Sequence, residues 1–124
     1  MTSGIGVLVV DDQPPFRRAA RAVLERVEDF HLIGEAETGE DAVALAAELR
    51  PSLVLMDINM PGMGGIEATR RIVTADPDVV VVLCSTRDVA DVPGTVAASG
   101  AATYLSKEAF GADALRHIWR SLTS

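Results

Sequence analysis

Carboxylate, hydroxyl and ammonium side chains follow four of the apolar runs in the sequence. Asp11 and Asp12 come after the first run, and Asp57 comes after another. The Ser85–Thr86 pair and Lys107 follow two later runs. A carboxylate can attack phosphorus and form an aspartyl phosphate, while an ammonium and a hydroxyl stabilise the charged phosphoryl oxygens. The combination indicates phosphoryl transfer, provided that the fold brings these residues together.

The acidic residues also predict a metal site. Three carboxylates in one place repel one another, and at least one stays protonated if no cation is near. Mg²⁺ takes oxygen ligands and uses one or two carboxylates together with water and phosphate oxygens. Asp11, Asp12 and Asp57 therefore predict a site for Mg²⁺ or Mn²⁺. Each feature alone has an ordinary explanation as a turn, cap or solvated residue, so the prediction depends on their coincidence.

Short apolar runs alternate with segments of helical periodicity along the chain. The apolar runs predict five strands, over 5–10, 31–36, 53–56, 79–84 and 102–105. Apolar faces predict helices around 16–27, 42–49, 66–75 and 115–122, and a fourth helix is expected by position over 88–99. These units predict an α/β, flavodoxin-like fold with a five-stranded parallel sheet in the order 2-1-3-4-5. Ligands bind such sheets beyond the carboxyl ends of the strands, where the residues above would meet.

The predicted helix over 88–99 has an interruption at its centre. Pro93 and Gly94 lie there, and they cost a helix interior about 3 and about 1 kcal/mol, respectively. We expect this helix to be short, broken or mobile, with its surface shared between conformations before phosphorylation. Strong protection of its amides from hydrogen exchange in the unphosphorylated protein would contradict this hypothesis.

The composition fits one globular domain and excludes several classes of protein. The 124 residues, 48% of them hydrophobic, suffice to bury a core without a disulfide or a structural metal. The single cysteine, Cys84, reads as a small core residue. A net charge of -7 argues against direct contact with nucleic acid. No apolar run is long enough to span a membrane and no signal peptide is apparent, so we expect a cytoplasmic protein without membrane contact.

The sequence resembles the receiver domains of two-component response regulators from Val7 to about Leu122. Four segments carry the resemblance: VLVVDD at 7–12, LVLMDINMPGMGGI at 53–66, LCST at 83–86 and GAATYLSK at 100–107. The segments DQPPFR at 12–17 and GIEATR at 65–70 look most like the NarL/LuxR-like branch, which often carries a helix-turn-helix output domain. We expect residues 1–124 to be one receiver domain without an output domain. A stand-alone receiver and a regulator with a DNA-binding output both stay open.

The resemblance implies how the phosphoryl group is accepted. Asp57 takes it from the phosphohistidine of a histidine kinase or phosphotransfer protein. Asp12, Asp57 and the backbone carbonyl of Asn59 coordinate Mg²⁺, and Asp11 supports the ion through water. Lys107 pairs with the carboxylate or with the phosphate. The chain is then no enzyme in the usual sense, but a phospho-acceptor that takes part in its own phosphorylation and dephosphorylation.

The resemblance also implies a switch. Ser85, with Thr86 as the alternative, is the hydroxyl residue that follows the phosphoryl group on activation. Tyr104 is the aromatic residue that turns inward with it. Phosphorylation reshapes the face made by the fourth helix, the fifth strand and the fifth helix, which controls an output domain or partner. A homodimer through the face around Tyr104 is a further possibility.

Two other classes share parts of this pattern. Haloacid-dehalogenase-like phosphatases also combine a nucleophilic aspartate, a hydroxyl, a lysine and an acidic pair around Mg²⁺. In those enzymes the nucleophile comes first and belongs to an Asp-x-Asp motif, whereas here the acidic pair comes first and Asp57 is followed by Ile58 and Asn59. A nucleotide- or flavin-binding module would need a glycine-rich loop after the first strand, where Asp11 and Asp12 lie instead.

The arginines at positions 17, 18 and 21 leave two interpretations open. They belong either to a solvated face of the first helix or to a surface that contacts a partner kinase. The sequence alone favours the solvated face.

Overall fold

The computed structural model describes residues 4–86, 96 and 98–123, and the structural statements below refer to these. The strands are β1 (Ile5–Val10), β2 (Phe30–Ala36), β3 (Leu53–Asp57), β4 (Val80–Ser85) and β5 (Thr103–Ser106). The helices are α1 (Pro14–Arg26), α2 (Gly39–Leu49), α3 (Gly64–Ala75) and α4 (Ala112–Thr123), the last corresponding to the fifth predicted helix. Most of the predicted helix over 88–99, including Pro93 and Gly94, lies outside the described residues; positions 96, 98 and 99 are helical.

All five strands are parallel and lie in the order β2-β1-β3-β4-β5, which confirms the predicted topology. Val10 lies opposite Met56 across the β1–β3 pair, and Asp57 lies opposite Cys84 across the β3–β4 pair. The carboxyl ends of the central strands therefore meet at one edge of the sheet. That edge is where the chemistry predicted from the sequence has to occur.

Hydrophobic layers cover both faces of the sheet. Because β1, β3 and β4 are buried on both sides, they appear in the sequence as continuous apolar runs. The layer beneath α1 and α4 includes Val7, Val9, Leu24, Leu55, Val82 and Leu115. The layer beneath α2 and α3 includes Leu8, Val10, Ala42, Met56, Ile72 and Leu83. This double packing fixes the strand ends that carry the polar residues.

Local chemistry sets the ends of α1 and α2. α1 begins with Pro14 and Pro15, because proline suits the first helical turn. Thr38 caps α2: its Oγ1 accepts a hydrogen bond from the backbone N–H of Asp41 at 3.0 Å. α2 ends at Arg50, whose backbone is left-handed with a φ of 51°.

Element boundaries differ from the predicted ones by up to three residues. β4 spans 80–85 rather than 79–84, and β5 spans 103–106 rather than 102–105. Asp57 and Ser85 are therefore the last residues of their strands rather than the first residues beyond them. The cause is hydrogen bonding to the neighbouring strand, which apolar patterning does not reveal. No helix of the described part of the chain is long and apolar enough to cross a membrane.

Candidate functional site

Three carboxylates converge at the carboxyl edge of the sheet. Asp11 and Asp12 directly follow β1, and Asp57 ends the neighbouring β3. One oxygen of each carboxylate lies within 4.8 Å of the other two. Asp11 and Asp57 are buried, and Asp12 is half-buried. The structure thus brings together the three acidic residues that the sequence singled out.

Lys107 reaches this acidic group from the turn that follows β5. Its Nζ lies 2.6 Å from Oδ2 of Asp11 and 3.5 Å from Oδ1 of Asp57. The backbone N–H of Lys107 donates to the carbonyl of Ser85 at 2.9 Å, which ties the turn to the end of β4. Burial lowers the pKa of Lys107, but the Asp11 and Asp57 carboxylates outweigh burial and raise this pKa above its ordinary value. The ammonium is therefore charged at neutral pH.

Asp57 is held in an environment that disfavours its anion. Burial raises the pKa of Asp57 from 3.8 to about 6; the Asp11 carboxylate adds to the increase, and Lys107 opposes it. Oδ2 of Asp11 contacts the Lys107 ammonium but accepts no well-aligned hydrogen bond among the described residues. The site therefore combines hard oxygen donors with too little positive charge, and this donor set fits Mg²⁺.

The remaining predicted site residues lie at different depths. Ser85 is buried at the end of β4, whereas the adjacent Thr86 is exposed. Tyr104 is half-buried on β5, and its hydroxyl donates to the carbonyl of Ser85 at 3.3 Å. Asn59 is exposed in the loop between β3 and α3. Of the two hydroxyl residues, Ser85 is the one enclosed at the sheet edge.

Cys84 lies beside the site, but its side chain belongs to the hydrophobic core. It is opposite Asp57 in the β3–β4 register and fully buried in the layer beneath α1 and α4. Burial raises the pKa of its thiol to about 12, so the thiol stays neutral at physiological pH. Cys84 thus serves as the small core residue that the sequence predicted.

Arg17 supports the site in a way that the sequence did not indicate. Its Nη1 donates to the backbone carbonyl of Asp11 at 2.6 Å, and its Nη2 lies 3.2 Å from Oε1 of Glu37. Glu35 pairs with both Arg17 and Arg21. Arg17 is consequently part of a clamp between α1 and the ends of β1 and β2, which corrects the solvated-face interpretation for this residue. The acidic residues at 35 and 37 were the available signal.

Two further residues shape the walls of the site. The ring of Phe16 faces Lys107, with Nζ 5.0 Å from the ring centroid. A Cβ atom at Gly65 would collide with the backbone carbonyl oxygen of Asp57, so α3 approaches β3 as closely as it does only because this position is glycine. Both residues belong to segments that carry the family resemblance, but the sequence predicted no role in the site for either of them.

Comparisons with known proteins agree on one family. Residues 7–120 match the response regulator receiver domain. The chain is 42% identical over 105 residues to the response regulator GacA of Pseudomonas aeruginosa, covering 85% of this chain and 49% of GacA. The chain thus spans about half the length of this relative.

Solved structures show the same likeness. A LuxR-family two-component response regulator from Aurantimonas sp. superposes with a TM-score of 0.87 at 30% identity, over 97% of this chain and 86% of that one. The response regulator domain of Thermotoga maritima CheB superposes with a TM-score of 0.84 at 28% identity, over 98% of both chains.

The fold, the acidic group and these relatives indicate the same family. The five-stranded order is the one expected for the family, and the comparisons give no support to a haloacid-dehalogenase-like phosphatase. The domain is thus a signalling module rather than a conventional enzyme. This chain belongs to the receiver-domain family of two-component response regulators, in the NarL/LuxR-like branch.

Proposed function

We propose that Asp57 accepts a phosphoryl group and that residues 1–124 act as one receiver domain. An oxygen of the Asp57 carboxylate attacks phosphorus as the bond from phosphorus to the donor's imidazole nitrogen breaks. The imidazole leaves with the electron pair of that bond, and Asp57 becomes an acyl phosphate. The observation that carries this proposal is the position of Asp57, a buried carboxylate at the switch-point edge with Lys107 Nζ 3.5 Å away.

The contacts of Asp57 differ from those of Asp11. Both oxygens of Asp11 are engaged: Oδ1 accepts a hydrogen bond from the N–H of Gln13 at 2.8 Å, and Oδ2 lies 2.6 Å from Lys107. The Lys107 contact to Asp57 is longer, at 3.5 Å. A carboxylate that is held loosely and destabilised as an anion is the better nucleophile. Asp11 is the better anchor for the ammonium.

The other groups of the site neutralise the negative charge of the phosphoryl oxygens. Mg²⁺, or Mn²⁺ in its place, supplies positive charge at these oxygens when it is bound by Asp12, Asp57 and the Asn59 carbonyl, with Asp11 in support. Lys107 supplies a second positive charge. Because phosphorylation removes the negative charge of the Asp57 carboxylate, the Lys107 ammonium can exchange its contact with Asp57 for one with the phosphate that Asp57 then carries.

We assign the response to phosphorylation to Ser85 and Tyr104. The carbonyl of Ser85 accepts hydrogen bonds from the Lys107 N–H and the Tyr104 hydroxyl. A shift of Ser85 towards the phosphoryl group would therefore be transmitted to Tyr104 within β5 and to Lys107 just after it. The face formed by the helix before β5, β5 itself and α4 is the surface that would change. A homodimer through this face is a second consequence of the same proposal.

The chemistry also defines the class of donor. A histidine kinase or a phosphotransfer protein carries phosphohistidine, which is the natural source of the phosphoryl group for a receiver. We place this exchange in the cytoplasm. Whether the output is a domain of the same polypeptide or a separate partner, it would be controlled through the face around β5. Duplex DNA is not an expected partner of these residues, since their net charge is -7.

Intact-mass measurement tests the proposal. The wild-type protein is incubated with acetyl phosphate and Mg²⁺, beside Asp57→Asn and a sample with excess chelator. We expect one phosphate adduct on the wild type, and none on the variant or with chelator. A folded wild-type protein that gains no adduct, or an equal adduct on Asp57→Asn, would contradict the assignment.

A further inference from the structure

Two aromatic rings close the side of the site next to Lys107. Phe16 lies in the first turn of α1, and Phe110 lies in the segment between β5 and α4. Their ring centroids are 5.4 Å apart with an interplanar angle of 58°, a tilted aromatic pair. The Lys107 ammonium lies over the Phe16 ring, 5.0 Å from its centroid. The pair thus connects α1 to the segment that carries the lysine.

A ring face is well suited to hold this ammonium. The attraction between an ammonium and an aromatic face strengthens when water is excluded, and the Lys107 side chain is only 11% exposed. The ring has no lone pair, so it does not compete with carboxylate or phosphoryl oxygens for the N–H donors. Lys107 has a flexible four-carbon stem, and the Phe16 ring on one side restricts the positions that its ammonium can occupy.

The position of Phe16 is itself fixed by its surroundings. Pro14 and Pro15 set the start of α1, and Arg17 donates to the backbone carbonyl of Asp11 at 2.6 Å. Phe16 also packs against the hydrophobic layer beneath α1 and α4. The ring is therefore held in place by α1, the helix that follows Asp11 and Asp12, through contacts that involve no ligand.

We propose that Phe16 is a positioning residue for phosphoryl transfer, which holds the Lys107 ammonium within reach of Asp57. This inference rests on the proposed function of Asp57 as the acceptor. It assigns Phe16 no contact with the phosphoryl group, since its effect passes through Lys107.

The test compares phosphorylation rates by acetyl phosphate at saturating Mg²⁺. Phe16→Leu removes the ring face but keeps an apolar side chain, and Phe16→Tyr keeps the ring. Phe30→Leu is the matched control, because Phe30 is buried in the same layer and contacts Trp119 rather than Lys107. Phe16→Leu is also made in a Lys107→Ala background. The second background separates an effect through the lysine from a general loss of packing.

We expect Phe16→Leu to slow phosphorylation about three- to tenfold. Phe16→Tyr and Phe30→Leu should stay within about twofold of the wild type. In the Lys107→Ala background, Phe16→Leu should have no further effect. An equal slowing in both backgrounds, or a Phe30→Leu variant as slow as Phe16→Leu, would overturn the inference.

A second readout does not need phosphorylation. In the wild type, the ring current of Phe16 should shift the ε-proton resonances of Lys107 upfield, and this shift should be lost in Phe16→Leu but kept in Phe30→Leu. If the wild type takes up no phosphate, the proposed function fails, and these resonances still decide whether Phe16 holds the lysine. Unchanged Lys107 resonances in Phe16→Leu would overturn the positioning role by themselves.

Discussion

At the scale of single residues, the site is organised by an imbalance of charge. Asp11, Asp12 and Asp57 lie together, and Lys107 is the cation that contacts two of them among the described residues. The unequal contacts of Lys107, 2.6 Å to Asp11 and 3.5 Å to Asp57, leave Asp57 less stabilised as an anion. Burial is the main cause of the increase of the Asp57 pKa to about 6; the Asp11 carboxylate adds to the increase, and Lys107 opposes it without cancelling it.

The imbalance predicts that neutralising Asp57 stabilises the metal-free domain. The pKa of Asp57 is higher in the folded state, at about 6, than its ordinary value of 3.8, so the folded state binds the proton more tightly. Below pH 3.8 the carboxyl group is protonated in both states and does not lower the free energy of unfolding. Between pH 3.8 and about 6 the free energy of unfolding falls as the pH rises, and above about pH 6 the loss is complete. We expect Asp57→Asn to raise the free energy of unfolding by about 1–3 kcal/mol near neutral pH.

Urea unfolding with a chelator present measures this effect. The gain from Asp57→Asn should shrink as the pH is lowered from about 7.5 towards 5. Asp78→Asn is the control, because Asp78 is exposed and away from the site. An Asp57→Asn variant that is no more stable than the wild type near neutral pH would refute the charge imbalance.

At the scale of elements, the site depends on how strand ends and helix starts meet. Parallel pairing of β1 with β3 and of β3 with β4 aligns the three strand ends that supply acidic and hydroxyl groups. α3 then packs directly against the end of β3, where Gly65 lies against the backbone of Asp57. The N–H of Gly65 donates to the carbonyl of Ile58 at 3.0 Å, which holds the intervening loop closed.

Because α3 lies so close to β3, we expect a methyl group added at Gly65 to destabilise the fold strongly. We expect Gly65→Ala to lower the free energy of unfolding by about 2 kcal/mol or more, because its Cβ would collide with the Asp57 carbonyl and force α3 away from β3. Phosphorylation by acetyl phosphate should slow as well. Gly111→Ala is the matched control: its Cβ would meet no atom within 4 Å, and it should cost less than about 1 kcal/mol. Equal losses in both variants would show that the contact at Gly65 is not the cause.

The sequence predicted most of these elements but not all of their contacts. Apolar runs and helical periodicity located the five strands and the described helices, and the acidic residues were placed correctly because strand ends share one edge in a parallel sheet. The roles of Phe16, Arg17 and Gly65 were not predicted. Each depends on a partner far along the chain or on the distance between two backbones, and local patterning contains neither. The end of β4 was placed one residue early for the same reason.

At the scale of the whole molecule, the acidic edge of the sheet is connected to both edge strands, β5 and β2. β5 is an edge strand whose four residues are all half-buried, and it is hydrogen-bonded to the end of β4 through the Ser85 carbonyl. The opposite edge strand, β2, is joined to α1 by the arginine clamp. Hydrogen bonds therefore connect the acidic edge of the sheet to β5, and ion pairs connect it to β2.

Trapping the acyl phosphate shows directly whether Asp57 carries the phosphoryl group. The wild-type protein, phosphorylated with acetyl phosphate and Mg²⁺, is treated with borohydride, which reduces an aspartyl phosphate to homoserine, and then digested for peptide mass spectrometry. Homoserine at position 57, absent from the sample without phosphodonor, is the predicted result. Homoserine at position 11 or 12, with an unaltered residue 57, would show that Asp57 is not the acceptor.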